Sequence, residues 1–139
     1  MDAFDADAVI YAAVPGHPLG HRVAALFEAP AGGMAGVGSV LLLPEVLGKP
    51  LRSPTATGEV LALLRVLARL DLRPVDRTTA ELATALATRY GLRAMDATHL
   101  ATAVMAGADR FITNNRRHFP VTITEVRVTY PADLPDAAS

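Results

Sequence analysis

Three acidic residues that lie far apart in the sequence stand at the ends of hydrophobic segments: Asp5, Glu45 and Asp96. Asp5 lies within a largely apolar run at 4–11, and Glu45 follows the apolar residues 40–43. Asp96 opens a segment whose apolar residues recur at helical spacing. Burying an isolated carboxylate is costly, and three that converge repel one another unless a cation lies between them. Because Mg²⁺ and Mn²⁺ prefer oxygen ligands, these acids are candidate ligands of a divalent cation.

A further acid, Asp7, follows Asp5 by two residues. In a regular strand the two side chains project from the same face of the sheet. Asp7 could therefore add a carboxylate to the same site. The alternative is a turn or capping residue at the end of the strand.

The composition limits the classes of protein to which the chain can belong. With 139 residues, 51% hydrophobic and 19% charged, the chain is expected to form one globular domain. The absence of Cys excludes disulfides, thiolate metal sites and Cys nucleophiles, and it fits a reducing compartment. The net charge is −1, and Lys49 is the only Lys beside 12 Arg. No apolar run approaches the ~18 residues of a membrane span, so we expect a cytoplasmic protein without a membrane partner.

The hydrophobic patterns predict strands that alternate with helices. We expect strands at 3–11, 34–38, 72–75 and 110–113, and one or two more within 121–128. We expect helices at 18–29, from Ser39 through Glu45, at 54–70, from Asp76 to Tyr90, and at 95–106. Such alternation is typical of an α/β sandwich with a mainly parallel sheet. Ligands of these sheets bind beyond the carboxyl ends of the strands, although Asp5 lies early in its predicted strand.

Capping residues and prolines set several of the predicted helix ends. Ser39 is a candidate N-cap for the helix that carries Glu45, and Pro44 should bend or shorten that helix. Asp76 is a candidate N-cap, and Gly91 should end the same helix.

The carboxy-terminal third carries a recognisable pattern. The segment 96–103 reads Asp-Ala-Thr-His-Leu-Ala-Thr-Ala, and 107–115 reads Gly-Ala-Asp-Arg-Phe-Ile-Thr-Asn-Asn before the run closes on Phe119. This pattern resembles the PIN-domain family, most closely its bacterial VapC-type toxins. The first strand, with Asp5, matches the opening pattern of that family, and 39–47 resembles its glutamate-bearing segment. The resemblance extends over 3–131.

The resemblance implies a three-layer α/β/α sandwich with a mainly parallel central sheet. It implies a single domain at 1–131, and we expect 132–139 to be a frayed tail. It also implies a metal-dependent endoribonuclease that is the toxin of a VapBC-type pair, with Mg²⁺ or Mn²⁺ as cofactor. Asp5, Glu45 and Asp96 take the metal-site positions. The implied partners are an RNA substrate, a second copy in a homodimer, and a cognate antitoxin that inserts a segment into the acidic cleft.

The expected chemistry is hydrolysis by metal-activated water, which Asp96 or Asp5 could orient or deprotonate. Thr113 and Asn115 could hydrogen-bond a metal-bound water or a phosphate oxygen, or they could cap the turn after the strand. The family often has an acid after this Thr, where the chain has Asn114 and Asn115. The site therefore has one carboxylate fewer unless Asp7 contributes.

Basic residues flank the predicted site. Arg116, Arg117 and Arg93 could contact RNA phosphates and give a salt-dependent share of the affinity. The alternative is a set of solvated side chains. His99 lies one turn after Asp96, and we interpret it as a helix-packing residue and not as a base.

Two other functions fit parts of the sequence. Asp5 and Asp7 resemble the Asp-x-Asp signature of haloacid-dehalogenase-like phosphatases, in which Asp5 would be the nucleophile. That chemistry also needs a late acidic pair after a strand, which the sequence lacks. The other alternative is a PIN-like domain that binds RNA or a partner without cutting, which the substitution at Asn115 favours.

Overall fold

The computed structural model describes residues 1–14, 16–28 and 33–135. The strands are β1 (Asp2–Phe4), β2 (Gly36–Ser39), β3 (Leu70–Arg73), β4 (Arg110–Ile112) and β5 (Arg127–Thr129). The helices are α1 (Ala6–Ala13), α2 (Pro18–Ala25), α3 (Leu42–Leu51), α4 (Thr57–Leu67), α5 (Arg77–Tyr90) and α6 (Ala94–Met105). A short 3₁₀ helix follows at Pro131–Asp133.

The five strands form one parallel sheet in the order β3-β2-β1-β4-β5. Alternate residues of a strand face opposite sides, and the two sides have separate cores. Phe4 and Ile112 pack with α1 to α4 on one side, whereas Ala3 and Phe111 pack with α5 and α6 on the other. The predicted three-layer α/β/α sandwich with a parallel central sheet is confirmed.

The central strand β1 is fixed between its neighbours by a close backbone approach and by an ion pair. A Cβ atom at Gly36 would lie 2.2 Å from the carbonyl oxygen of Asp2, so only Gly allows this pairing of β1 with β2. On the other side Arg110 donates to both carboxylate oxygens of Asp2, at 2.8 and 2.9 Å. These contacts fix the amino-terminal end of β1, and the site follows the other end of the same strand.

The predicted first strand at 3–11 is wrong beyond Phe4. The chain leaves β1 at Phe4, and the helix α1 begins at Ala6. Asp5 is the N-cap, and its side chain accepts a hydrogen bond from the amide of Ala6. The segment is rich in Ala, a strong helix former, and it is apolar on most sides, so periodicity does not separate a buried helix from a buried strand.

The helix that carries Glu45 begins later than predicted. Ser39 is the last residue of β2, and its hydroxyl accepts a hydrogen bond from the amide of Leu41 at 3.1 Å. The helix begins at Leu42, so Ser39 is not its N-cap. Pro44 lies in the first turn, where no intrahelical N–H bond is lost, and the reason for the expected bend is absent.

Other boundaries differ by a few residues. The strand predicted at 72–75 lies at Leu70–Arg73, and the preceding helix α4 is Thr57–Leu67 and not 54–70. Within 121–128 only the end belongs to a strand, β5. The helix predicted at 18–29 ends at Ala25, and residue 29 lies outside the described residues. The helix from Asp76 to Gly91 is confirmed at both ends.

The expected fraying from residue 132 is wrong for the first part of that tail. Arg22 of α2 donates to the carbonyl oxygens of Ala132 and Leu134, at 2.7 and 3.0 Å. The side chain of Leu134 is buried in the core beside α2. Residues 136–139 lie outside the described residues.

Among the described residues, no helix combines the length and the apolar character that crossing a membrane requires.

Candidate active site

The site is built where β1 and β4 end side by side. Asp5 directly follows β1, and Thr113 directly follows β4. The hydroxyl of Thr113 donates to Oδ2 of Asp5 at 2.8 Å, and the amide of Ala6 donates to Oδ1 at 2.9 Å. Asp5 is only 4% exposed, so its carboxylate is held in one orientation in a buried position.

Asp7 lies in the first turn of α1 beside this pair. Its Oδ2 accepts a hydrogen bond from the amide of Asn114 at 3.0 Å. Its Oδ1 is buried, and among the described residues it has no hydrogen-bond partner. Burial, and then the charge of Asp5, raise the pKa of Asp7 to about 7. Asp7 therefore belongs to the acidic site and is not merely a turn residue.

Asp96 brings a third carboxylate from the first turn of α6. It is 8% exposed, and its Oδ2 is buried without a hydrogen-bond partner among the described residues. Burial raises the pKa of Asp5 above its ordinary value, and the charge of Asp96 raises it further. Asp96 also raises the pKa of Asp7. The charge of Asp96 thus acts on both other carboxylates and that of Asp5 acts on Asp7, so the three lie in one negative field.

A hydrogen bond to His99 connects Glu45 to the other residues of the site. Nε2 of His99 hydrogen-bonds Oε2 of Glu45, and because an ionised carboxylate only accepts, Nε2 carries the hydrogen. The ring of His99 is fully buried, and Nδ1 has no hydrogen-bond partner within the described part of the chain. The charge of His99 also opposes the upward shift of the pKa of Asp5. His99 thus links α6, α3 and the end of β1.

The turn after β4 surrounds the acids with polar groups. The amide of Asn115 donates to the hydroxyl of Thr113 at 3.1 Å, and Oδ1 of Asn115 accepts from the amide of His118 at 3.2 Å. Nδ1 of His118 lies 3.0 Å from Nδ2 of Asn115 and 3.4 Å from Oδ2 of Asp96. Asn115 therefore caps this turn, and it holds His118 beside Asp96.

The basic residues near the site differ in their surroundings. The guanidinium group of Arg116 lies over the ring of Tyr130, 4.3 Å from its centroid. Arg117 is exposed on the same turn. Nε of Arg93, which is largely exposed, lies 3.7 Å from Oδ2 of Asp96. Of the three, only Arg93 contacts an acid of the site within the described part of the chain, and the contact of all three with RNA phosphates stays a prediction.

Sequence reasoning missed His99, His118 and the full role of Asp7. The signal for His99 was its position three residues after Asp96, which places both side chains on one face of the helix. The signal for Asp7 was its spacing from Asp5. His118 has no local signal, because only the turn after β4 brings it to Asp96.

The carboxylate oxygens of the site are ligands of the type that a hard divalent cation prefers. Oδ1 of Asp7 and Oδ2 of Asp96 are buried acceptors that the described residues leave without donors, and a cation would offset the mutual repulsion of the carboxylates. No three His, Asp or Glu side chains of the described residues converge closely enough to form a complete metal cage. The carboxylate of Glu45 is held by Nε2 of His99.

A family model and two solved structures are similar to nearly the whole chain. The model of the PIN domain family matches residues 3–122. A chain of the toxin–antitoxin complex from Klebsiella pneumoniae superposes with a TM-score of 0.69 at 21% identity, covering 94% of this chain and 98% of that chain. A chain of VapBC2 from Rickettsia felis, bound to a DNA fragment from their promoter, superposes with a TM-score of 0.70 at 15% identity, covering 93% and 97%. No curated protein sequence matches significantly.

Proposed function

From the premise that this chain belongs to the PIN domain family, we propose that it is a metal-dependent endoribonuclease, the toxin of a VapBC-type toxin–antitoxin pair. The observation that carries the proposal is that the carboxylates of Asp5, Asp7 and Asp96 lie in one negative field near the end of β1. Three acids buried in one negative field destabilise the protein, unless a cation compensates them. Such a cluster is the arrangement that divalent-metal nuclease chemistry needs.

Asp5 and Asp96 are the residues proposed to hold Mg²⁺ or Mn²⁺, with Glu45 as the further ligand. A divalent ion bound there supplies hydroxide from water near neutral pH and offsets charge on the phosphate under attack. Thr113 keeps Asp5 in one orientation, and His99 keeps Glu45 within reach. Oδ2 of Asp96, which accepts no hydrogen bond from the described residues, is proposed to accept the proton of the attacking water.

The remaining residues assist binding. Asn115 holds the turn that presents Arg116 and Arg117 to RNA phosphates, and Arg93 approaches the site from the start of α6. A cognate antitoxin would place a basic side chain in the acidic cleft. Support for this partner comes from the fold shared with chains of toxin–antitoxin complexes. A homodimer and a cytoplasmic location complete the proposal.

One alternative function has a specific observation in its favour. Asn114 and Asn115 replace the acid that often follows the Thr in this family, and Glu45 is engaged by His99. A PIN-like domain that binds RNA or a partner without cutting would tolerate both features. The phosphatase alternative is set aside, because the family match covers 3–122.

The test is cleavage of a mixed RNA pool with Mn²⁺ by the wild type, Asp5→Asn and Asp96→Asn. Asn at position 5 keeps the helix cap while it removes the charge. We expect cleavage by the wild type that EDTA abolishes, and no cleavage by either variant. Asp71→Asn, an exposed acid of β3 paired with Arg73, is the matched control and should retain activity. RNA binding without metal-dependent cleavage would favour the binding domain.

A further inference from the structure

Glu45 lines a cavity that includes none of Asp5, Asp7 and Asp96. This cavity has a volume of about 630 Å³ and lies between α1, α3 and the segment that leads into α4. Its lining includes Glu45 itself, so a ligand in the cavity would touch the residue that His99 holds at the cleft. The volume falls within the ~300–1,000 Å³ range of small-ligand sites.

The lining combines an apolar wall with polar groups at its edge. Ile10, which is 38% exposed, and Val46 form part of the apolar wall. Ser53 and Thr55, whose hydroxyls lie 3.1 Å apart, and Glu59 also line the cavity. A planar nucleobase could pack its face against the apolar wall and form hydrogen bonds with the polar groups at the edge.

Lys49 supplies the positive charge of this cavity. It lies one helical turn after Glu45 on α3, and it is the only Lys of the chain. It is exposed, and it forms no ion pair with any residue of 1–14, 16–28 or 33–135. Lys49 lies in the last turn of α3, where its charge favours the helix, and its ammonium group, which forms no ion pair among the described residues, can also bind a phosphate group next to the one that is cut.

We infer that this cavity is a nucleotide subsite for the residue of RNA that adjoins the scissile phosphate. Lys49 contacts the phosphate of that nucleotide, its base lies against Ile10 and Val46, and Ser53 and Thr55 bond the edge of the base. The inference rests on the proposed ribonuclease function and adds to it the part of the site that selects the sequence cut.

The first test compares Lys49→Met with Arg65→Met, which removes the same charge from an exposed position of α4 outside the cavity. With a single-stranded RNA substrate, Lys49→Met should raise KM about 5- to 10-fold and change kcat less than about twofold. The slope of log KM against log salt should fall by about 0.7, the share of one phosphate contact. Arg65→Met should leave KM, kcat and the slope at wild-type values.

The second test concerns the base. The double variant Ser53→Ala/Thr55→Ala should change the distribution of cleavage positions in a mixed RNA pool, measured by sequencing the new ends. The double variant Thr84→Ala/Thr88→Ala, on the exposed face of α5, is the matched control and should cut at wild-type positions. All four hydroxyls are exposed, so neither double variant removes a buried contact.

The outcomes separate this inference from the function on which it rests. If the wild type cuts RNA but Lys49→Met behaves like Arg65→Met and the cleavage positions do not change, the subsite is wrong and the nuclease stands. A cavity that takes a polypeptide instead would give that same result. If the wild type does not cut, fluorescence anisotropy of labelled RNA with Asp96→Asn decides. An unchanged salt slope for Asp96→Asn/Lys49→Met would overturn the subsite, and a slope lower by about 0.7 would support it.

Discussion

The helix α5 and the acidic site differ in how their polar groups are satisfied. At the start of α5, the carboxylate of Asp76 accepts hydrogen bonds from the amide and the hydroxyl of Thr79, both at 2.9 Å. At its end, Gly91 adopts the left-handed conformation with φ of 65°. In the acidic site, Asp7 and Asp96 each keep a buried oxygen that no described residue satisfies.

The pKa values reflect the same contrast. Hydrogen bonds from Thr79 lower the pKa of Asp76, so its charge favours the folded state. Burial raises the pKa of Asp5 and of Asp7, so their charges disfavour it. Acids that stabilise the fold and acids proposed to bind a ligand are thus separated by their partners and not by residue type. The four predictions below test this separation.

The largest effect is expected for Asp96→Asn. It should lower kcat/KM of the proposed RNA cleavage by at least ~100-fold, about 3 kcal/mol, because a ligand and an acceptor of the site are lost. The free energy of unfolding of the metal-free protein should not fall, since a repelling charge is removed. Kinetics with Mn²⁺ and urea unfolding with EDTA measure the two quantities. Asp76→Asn should leave kcat/KM unchanged and lower the free energy of unfolding, because the charge of Asp76 favours the folded state. A strongly destabilised but active Asp96→Asn would contradict the contrast.

The next effect is expected for His99→Leu. It removes the donor that holds Glu45, and loss of such a supporting contact costs about 10- to 100-fold in activity or metal affinity. The Mn²⁺ concentration for half-maximal cleavage should rise accordingly. His99→Gln, which retains an N–H donor, should recover part of the loss. Equal values for both variants would show that His99 acts only by packing.

A smaller effect is expected for Asp7→Asn in metal-free protein. The pKa of Asp7 is raised from 3.8 to about 7, so the native state keeps a proton that the unfolded chain releases between those values. The free energy of unfolding should therefore fall as the pH rises through that interval. Asp7→Asn should remove roughly 2 kcal/mol of this fall, a value that allows for partial solvent screening. Urea unfolding with EDTA at pH 5 and at pH 7.5 measures the free energy of unfolding of the variant and of the wild type. If the variant were more stable than the wild type by the same amount at both pH values, the raised pKa of Asp7 would be refuted.

The smallest effect is expected for Gly91→Ala. A Cβ atom there would meet no atom within 4 Å, so the cost is the left-handed backbone alone, about 1–2 kcal/mol. Thermal unfolding should show a lower Tm, while RNA cleavage at 25 °C should stay at the wild-type rate. Gly58→Ala, within α4 and also without close contacts, should be neutral or stabilising. A loss of activity in Gly91→Ala would couple α5 to the site.

The elements with local signals were predictable. Asp76 and Gly91 defined α5 to the residue, since capping depends on neighbours in sequence. The segment 6–11 was not predictable as a helix, because an apolar run carries no periodicity that distinguishes the two structures. The burial of Asp5 and Asp96 was foreseen from their apolar neighbours, whereas His118 reaches Asp96 only through the turn after β4.

The sequence by itself determined the class of fold and the parallel sheet, and it proposed Asp5, Glu45 and Asp96 as site residues, because hydrophobic patterns, caps and acids in apolar surroundings are local properties. Only the tertiary structure decided how those acids are partnered. Thr113 bonds Asp5 across adjacent strand ends, His99 turns Glu45 toward α6, and Asp7 joins the cluster from α1. These contacts join residues up to 108 positions apart, and such pairs are set by the packing of helices on both faces of the sheet, which no local pattern encodes.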